Sequence, residues 1–319
     1  MECHFNPILM PPTTLTSKPF DTTKTMAGFF GKRLIAASMG ILATLLAQVA
    51  AAQATPPPHP LEHHLNSGTA IYLGEGETRF FAILTNSETG TLQGGVILIP
   101  DTGSHPDWPR VIRPLRTGLP AYGWTTLSIE TQAFAGLDTL HPIQSTMTTR
   151  ISLAIDHLRS LGINNIAVLG HGTGASIALK FAADANQHTP NAFIGVGLLL
   201  TRPPGEHPYS VDLLKGSTVP VFDIYGSRDL DPVLRTASAR RLAAKSGETT
   251  ARPEDTVEFF KQATIAHSPQ AKRHGYIVYR QQRIEGADHD FSGMSAVLVK
   301  RIAGWLSRHA EGAALVSKK

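Results

Sequence analysis

The residues best suited to chemistry in this chain stand at three turns. Gly170-His171-Gly172-Thr173-Gly174 follows the apolar run Ile166 to Leu169 and opens into the helix-like Ala175 to Ala183. This is the setting of G-x-S-x-G, in which glycines permit a sharp strand-to-helix turn and the middle side chain stands exposed near the positive end of the helix. Here the middle residue is Gly172, which has no atom able to attack a carbonyl. Two further turns supply the partners such a nucleophile needs, in the order nucleophile, acid, base. Gly226-Ser227-Arg228-Asp229 puts a carboxylate after the strand-like Val219 to Tyr225, and Gly286-Ala287-Asp288-His289-Asp290-Phe291 puts an imidazole between the final strand and the final helix. Asp229 and His289 therefore read as the acid and base of a relict triad whose nucleophile position, Gly172, is lost. Asp223 and Asp231 compete for the acid role, but the first lies inside the strand and the second stands before Pro232 as a helix cap.

Two hydroxyls are candidates to replace the missing one. Ser104 lies in the loop after the strand-like Gly95 to Ile99, on the same sheet edge as the 170–174 turn, and is the alternative nucleophile. A hydroxyl is inert without a base in hydrogen-bond reach, and spacing alone does not fix the distance from Ser104 to His289. Thr173 is better placed to offer its backbone N–H to a developing oxyanion than its hydroxyl for attack. His171 either shapes the pocket wall or packs. Gly170 to Ala175 also matches G-x-G-x-x-A, but the next strand ends in Leu200-Thr201-Arg202 without the acid a dinucleotide ribose requires. Dinucleotide binding is the least favoured reading, and no cofactor is expected.

Metal chemistry has little support in the sequence. Cys3 is the single cysteine and precedes the segment read below as a leader, so disulfides, thiolate catalysis and Cys-ligated metals are not expected. His59, His63 and His64 sit among prolines without a carboxylate frame and read as a solvated tail. No metal site is assigned.

The elements that position these turns are written as alternating buried strands and amphipathic helices, the pattern of a mostly parallel α/β sheet flanked by helices. Thr69 to Leu73 and Arg79 to Thr85, with turn signals between and after them, read as an antiparallel strand pair at its start. The later strands are Gly95 to Ile99, Trp124 to Ile129, Ile166 to Leu169, Phe193 to Leu200, Val219 to Tyr225 and Tyr276 to Ile284. A helix beginning at Pro109 is expected to kink at Pro114. A second carries Met147, Ile151, Ala154 and Leu158 on one stripe and stops at Gly162, and the last, from about Ser292 to His309, carries Met294, Leu298, Ile302 and Trp305.

Over roughly residues 95–309, with the acid loop and histidine loop quoted above, the chain resembles the α/β-hydrolase superfamily. Ser104-His105-Pro106-Asp107-Trp108-Pro109, Tyr122-Gly123-Trp124-Thr125-Thr126-Leu127-Ser128 and Gly286 to Phe291 are together similar to an exported bacterial α/β-hydrolase-like family of unknown function, in which a Gly-His-Gly elbow is also usual. The resemblance implies the α/β-hydrolase-like fold and an exported location. It also implies that the backbone at Thr102 and Gly103, after Pro100-Asp101, sits where superfamily members hold an oxyanion-hole donor.

Composition is consistent with one globular domain: 42% of residues are hydrophobic and 17% charged. Half of the net charge of +4 comes from Lys18, Lys24, Lys32 and Arg33 against Glu2 and Asp21, and the balanced remainder gives no electrostatic case for nucleic acid. Lys32-Arg33, the apolar stretch Leu34 to Leu46 and the small residues at 50–54 read as a secretory signal with Met26 as its start. The expected organisation is a leader over 1–54, a Pro/His-rich linker over 55–68, one domain over 69–310 and a tail over 311–319. The mature protein is expected in the periplasm or outside the cell, without an integral membrane span. The reading that follows is a non-hydrolytic protein binding a small or acyl-type ligand, or a protein partner; the alternative is a serine-type ester or amide hydrolase acting through Ser104.

Overall fold

The computed structural model of the chain describes residues 58–131, 140–184, 188–199, 209–215, 217–248 and 278–310. The proposed leader and the tail lie outside the described residues. The chain divides into compact units at Met1–Pro58 and His59–Lys319, and the second carries the fold.

The second unit contains one eight-stranded sheet in the order β1-β2-β4-β3-β5-β6-β7-β8. Its strands are β1 (Thr69–Leu73), β2 (Phe80–Thr85), β3 (Gly94–Ile99), β4 (Trp124–Ile129), β5 (Ile166–His171), β6 (Ala192–Val196), β7 (Val221–Arg228) and β8 (Tyr279–Asp288). β1 pairs antiparallel with β2, and β2 antiparallel with β4; all later pairs are parallel. The expected fold class, a mostly parallel sheet with an antiparallel pair at its start, is the one observed. β3, β4, β5 and β6 are buried at every position, as strands covered on both faces must be.

Strand alternation divides the core in two. On one face Ile97, Ile99, Val168 and Phe193 pack against helices α2 (Leu140–Ser160), α3 (Thr173–Ala183), α4 (Tyr209–Lys215) and α5 (Asp231–Glu248). On the other, Val96, Leu98, Ala167, Leu169 and Ile194 pack against α1 (Ile112–Gly118) and α6 (Ser295–His309). The stripes expected on α2 and α6 face these cores: Met147, Ile151, Ala154, Leu158, Leu298, Ile302 and Trp305 are buried.

Several elements depart from expectation: β7 runs on to Arg228 and β8 to Asp288, past the expected Tyr225 and Ile284. α1 starts at Ile112, so Pro114 falls in its first turn, where the N–H it lacks has no intrahelical acceptor; the helix runs through it to Gly118. β6 ends at Val196, well before Leu200, because Gly197 turns out of the sheet at φ 56°. Among the described residues no helix is long and apolar enough to cross a membrane. His59 stacks on Phe81 at 4.1 Å and pairs with Glu130 at 3.3 Å, apart from His63 and His64, which are exposed.

Candidate functional site

Parallel pairing places the C-terminal ends of β3, β5, β6, β7 and β8 along one sheet edge, and the chemistry-bearing turns emerge there. Between β5 and α3 the chain bends at Gly172, with φ 55° and ψ −118°, a conformation that strains any L side chain. The bend is tied to β6: Gly172 N–H donates to Val196 C=O at 3.0 Å, and its carbonyl accepts Leu199 N–H at 3.2 Å. Gly174 lets this turn press on the loop after β3, since a Cβ there would lie 2.3 Å from the Pro100 carbonyl oxygen.

Asp229 follows β7 and His289 follows β8. Adjacent parallel strands bring the two loops together, and His289 Nδ1 donates to Asp229 Oδ1 at 2.6 Å. Asp229 is held by backbone donors: Oδ1 accepts Leu230 N–H at 2.8 Å and Oδ2 accepts Gly226 N–H at 3.1 Å. The imidazole lies over Gly197, where a Cβ would be 2.8 Å from its Cε1 and Nδ1. The competing acids are engaged elsewhere. Asp223 is fully buried and accepts bonds from Arg240 Nε at 2.8 Å, the Tyr279 hydroxyl at 2.7 Å and Gln281 Nε2 at 2.9 Å, while Asp231 is the first residue of α5.

The residue that sequence reasoning missed is Asp101. Its Oδ1 accepts Thr102 N–H at 2.7 Å, Thr173 N–H at 2.9 Å and the Thr173 hydroxyl at 2.6 Å. Its Oδ2 lies 3.5 Å from His289 Nε2, an ion-pair distance without the alignment of a hydrogen bond. A Cβ on Gly172 would be 2.4 Å from Asp101 Cγ and Oδ2. The carboxylate therefore fills the volume a side chain at 172 would need, and it takes up the N–H groups of Thr102 and Thr173. The strand register carries a signal for this: Ile99 pairs with Gly170 across β3 and β5, so residues two further on, Asp101 and Gly172, emerge side by side.

Electrostatics follow from that packing. Burial would lift the Asp101 carboxyl, but the imidazole of His289, the hydroxyl and N–H of Thr173 and the His171 ring hold it well below the usual carboxylate range. Burial would lower the His289 imidazole, but Asp101 and Asp229 on its two sides raise it to about 9. His171, 2% exposed, is pushed down by burial and by His289. Its Nε2–H donates to the His289 carbonyl at 3.1 Å, and the two rings lie 4.6 Å apart.

Ser104 lies in the same loop as Asp101, and its N–H closes a turn onto the Asp101 carbonyl at 3.0 Å. Among the described residues no hydrogen bond joins its hydroxyl to His289. Gly103 is an exposed turn residue at φ 79°, and the Thr102 hydroxyl bonds that of Thr173. Asp107, three residues past Ser104, is buried and pairs with Arg116 Nη2 at 2.6 Å and Arg113 Nη2 at 2.8 Å, which pins the loop to α1. As a whole the site offers a charged imidazole between two carboxylates and no hydroxyl bonded to it. One ligand atom each from Asp101, His171 and His289 lies within 4.8 Å of the others, so among the described residues these three form the group that could hold a metal ion.

Over residues 47–146 and 138–252 the chain matches the model of a family described as Protein of unknown function (DUF3530). No curated protein matches it. Among solved structures it is similar to a dienelactone hydrolase from Anabaena variabilis ATCC 29413, at 19% identity over 76% of this chain and 98% of that chain, with a TM-score of 0.54. Est1E from Butyrivibrio proteoclasticus, with ferulic acid bound, is similar at 17% identity over 75% of this chain and 99% of that chain, with a TM-score of 0.50. At these identities the likeness is one of fold.

Proposed function

This chain belongs to the family described as Protein of unknown function (DUF3530) and has an α/β-hydrolase fold, and from that premise we propose that it is an exported, non-hydrolytic member of the fold that binds a ligand where its relatives' chemistry would occur. One observation carries the reading: the Asp101 carboxylate lies in the space vacated at Gly172 and accepts the backbone N–H groups of Thr102 and Thr173. Acyl transfer needs an attacking atom and a set of donors free to receive the developing oxyanion. Here the elbow supplies no attacking atom, and the donors already face a negative charge. A single oxyanion donor contributes about 10²–10³ in rate, so a carboxylate on both, which would also repel the oxyanion, removes the main electrostatic source of catalysis.

Asp229 and His289 keep the geometry of an acid–base pair, and in this reading they hold charge and shape the site. The ligand is a small or acyl-type molecule. Export rests on the basic residues, apolar run and small residues that precede Thr55.

The test is a fluorophosphonate probe together with an activated ester. The wild-type protein should remain unlabelled, and its ester turnover should equal that of His289→Ala. Stoichiometric labelling that disappears in Ser104→Ala and in His289→Ala would overturn the reading and make Ser104 the nucleophile of an active hydrolase.

A further inference from the structure

We propose that Asp101, His171 and His289 form a binding site for one divalent transition-metal ion, with Asp229 orienting His289 from behind; the proposal rests on the non-hydrolytic reading above and adds to that site an ion beside which the small or acyl-type ligand would bind. The three side chains come from the ends of β3, β5 and β8, and one ligand atom of each lies within 4.8 Å of the others. In a tetrahedral site with metal–ligand bonds of about 2.0–2.1 Å, ligand atoms stand about 3.3 Å apart. His289 Nε2 and Asp101 Oδ2, at 3.5 Å, already meet that spacing.

The hydrogen bonds around the two imidazoles determine which ring nitrogens can coordinate. His289 Nδ1 faces the Asp229 carboxylate, and His171 Nε2 faces the His289 backbone carbonyl. Both facing oxygens are acceptors, so each ring in its neutral form commits its N–H there and keeps a lone pair on its other nitrogen, and an entering metal ion would displace the second proton of His289. Those other nitrogens, His289 Nε2 and His171 Nδ1, are buried and have no hydrogen-bond partner. Carboxylate–histidine and carbonyl–histidine pairs of this kind are the partners that orient metal-bound imidazoles.

Asp101 is fixed in the same manner. Its Oδ1 is saturated by Thr102 and Thr173, which turns Oδ2 toward His289 as a single ligand atom. Two nitrogens and one carboxylate oxygen make a donor set suited to Zn2+, Co2+ or Ni2+ rather than to Mg2+ or Ca2+, which take oxygen. The ion's charge would offset the half-buried carboxylate of Asp101 and the buried one of Asp229. Three protein ligands leave a fourth position for water or a small anion.

The test uses the full chain, stripped with a chelator and titrated with ZnCl2 by calorimetry. One equivalent should bind to the wild type. Asp101→Asn and His171→Gln should each weaken binding by at least about 100-fold, and Asp229→Asn, acting through His289, by about 10–100-fold. Circular dichroism would show that these variants fold. Replacing both His63 and His64 by alanine should leave the affinity unchanged. Independently of any variant, Co2+ added to the wild type should shift the imidazole resonances of His171 and His289. Zinc binding that survives Asp101→Asn and His171→Gln, no binding at all, or Co2+ shifts confined to His63 and His64 would each overturn the proposal. The fluorophosphonate result on the same preparation separates the two readings: an unlabelled protein that binds no zinc removes only the metal site, whereas labelling removes the non-hydrolytic reading whatever the zinc result.

Discussion

At the scale of single residues, a side chain at 172 and the carboxylate of Asp101 compete for one volume. Gly172→Ser alone would set its Cβ 2.4 Å from Asp101 Cγ in a backbone conformation that only glycine adopts freely. We expect that variant to lose about 1–3 kcal/mol of stability in chemical denaturation and to gain no esterase activity. Pairing it with Asp101→Gly frees both the space and the N–H groups of Thr102 and Thr173. The double variant should turn over an activated ester, and the activity should vanish when His289→Ala is added. Gly197 is the second residue of this kind. Gly197→Ala puts a methyl group 2.8 Å from the His289 ring at φ 56°, so the downfield Nδ1–H resonance of His289 bonded to Asp229 should broaden or disappear. Asp229 and His289 were legible in the sequence because each follows a strand-like run and a glycine, in triad order. Asp101 was not, because Pro-Asp-Thr-Gly has the composition of an ordinary turn, and only the pairing of Ile99 with Gly170 brings it to Gly172.

At the scale of elements, the stretch from Ser104 to Pro109 works as a brace. Asp107 and Arg116 are both buried, and Arg116 also donates to the Ser67 carbonyl at 2.7 Å and the Thr85 hydroxyl at 3.0 Å. The loop that carries Asp101 is thereby fastened to α1 and to β2. Removing one partner of a buried ion pair strands the other charge, so Asp107→Ala should cost roughly 3–5 kcal/mol in urea unfolding. β3 and β5 were legible as short, largely apolar runs, and β4 as a run of strand formers from Trp124 through Thr125 and Thr126 to Ile129. β8 was placed too early: Gln281, Gln282 and Arg283 make a polar edge strand, and only its ladder with β7 shows that pairing continues to Asp288, directly before His289. The expected kink at Pro114 failed for a local reason, since the start of α1 depends on the strained Val111 at φ 54° rather than on Pro109.

At the scale of the whole molecule, the alternation of strands and helices was enough to specify the sheet, because burial on both faces leaves little freedom in how such runs are stacked. What alternation does not encode is which loop ends touch, and that is where the site is decided. The site joins turns far apart along the chain: His171 meets His289 across 118 residues and Asp229 meets His289 across 60. Read as a sequence in time, this makes the cluster a late event. Asp101, Gly172 and Asp229 leave the ribosome first, and nothing can close over them until β8 pairs with β7 and carries in the final imidazole. Long loops must be closed before such contacts repay their entropy, so a partly folded chain presents the carboxylates without their base. In refolding from urea, the His289 Nδ1–H resonance should therefore appear with the slowest phase, after the helical signal has recovered; its appearance in the earliest phase would show that β8 and the loop after it dock before the sheet is complete.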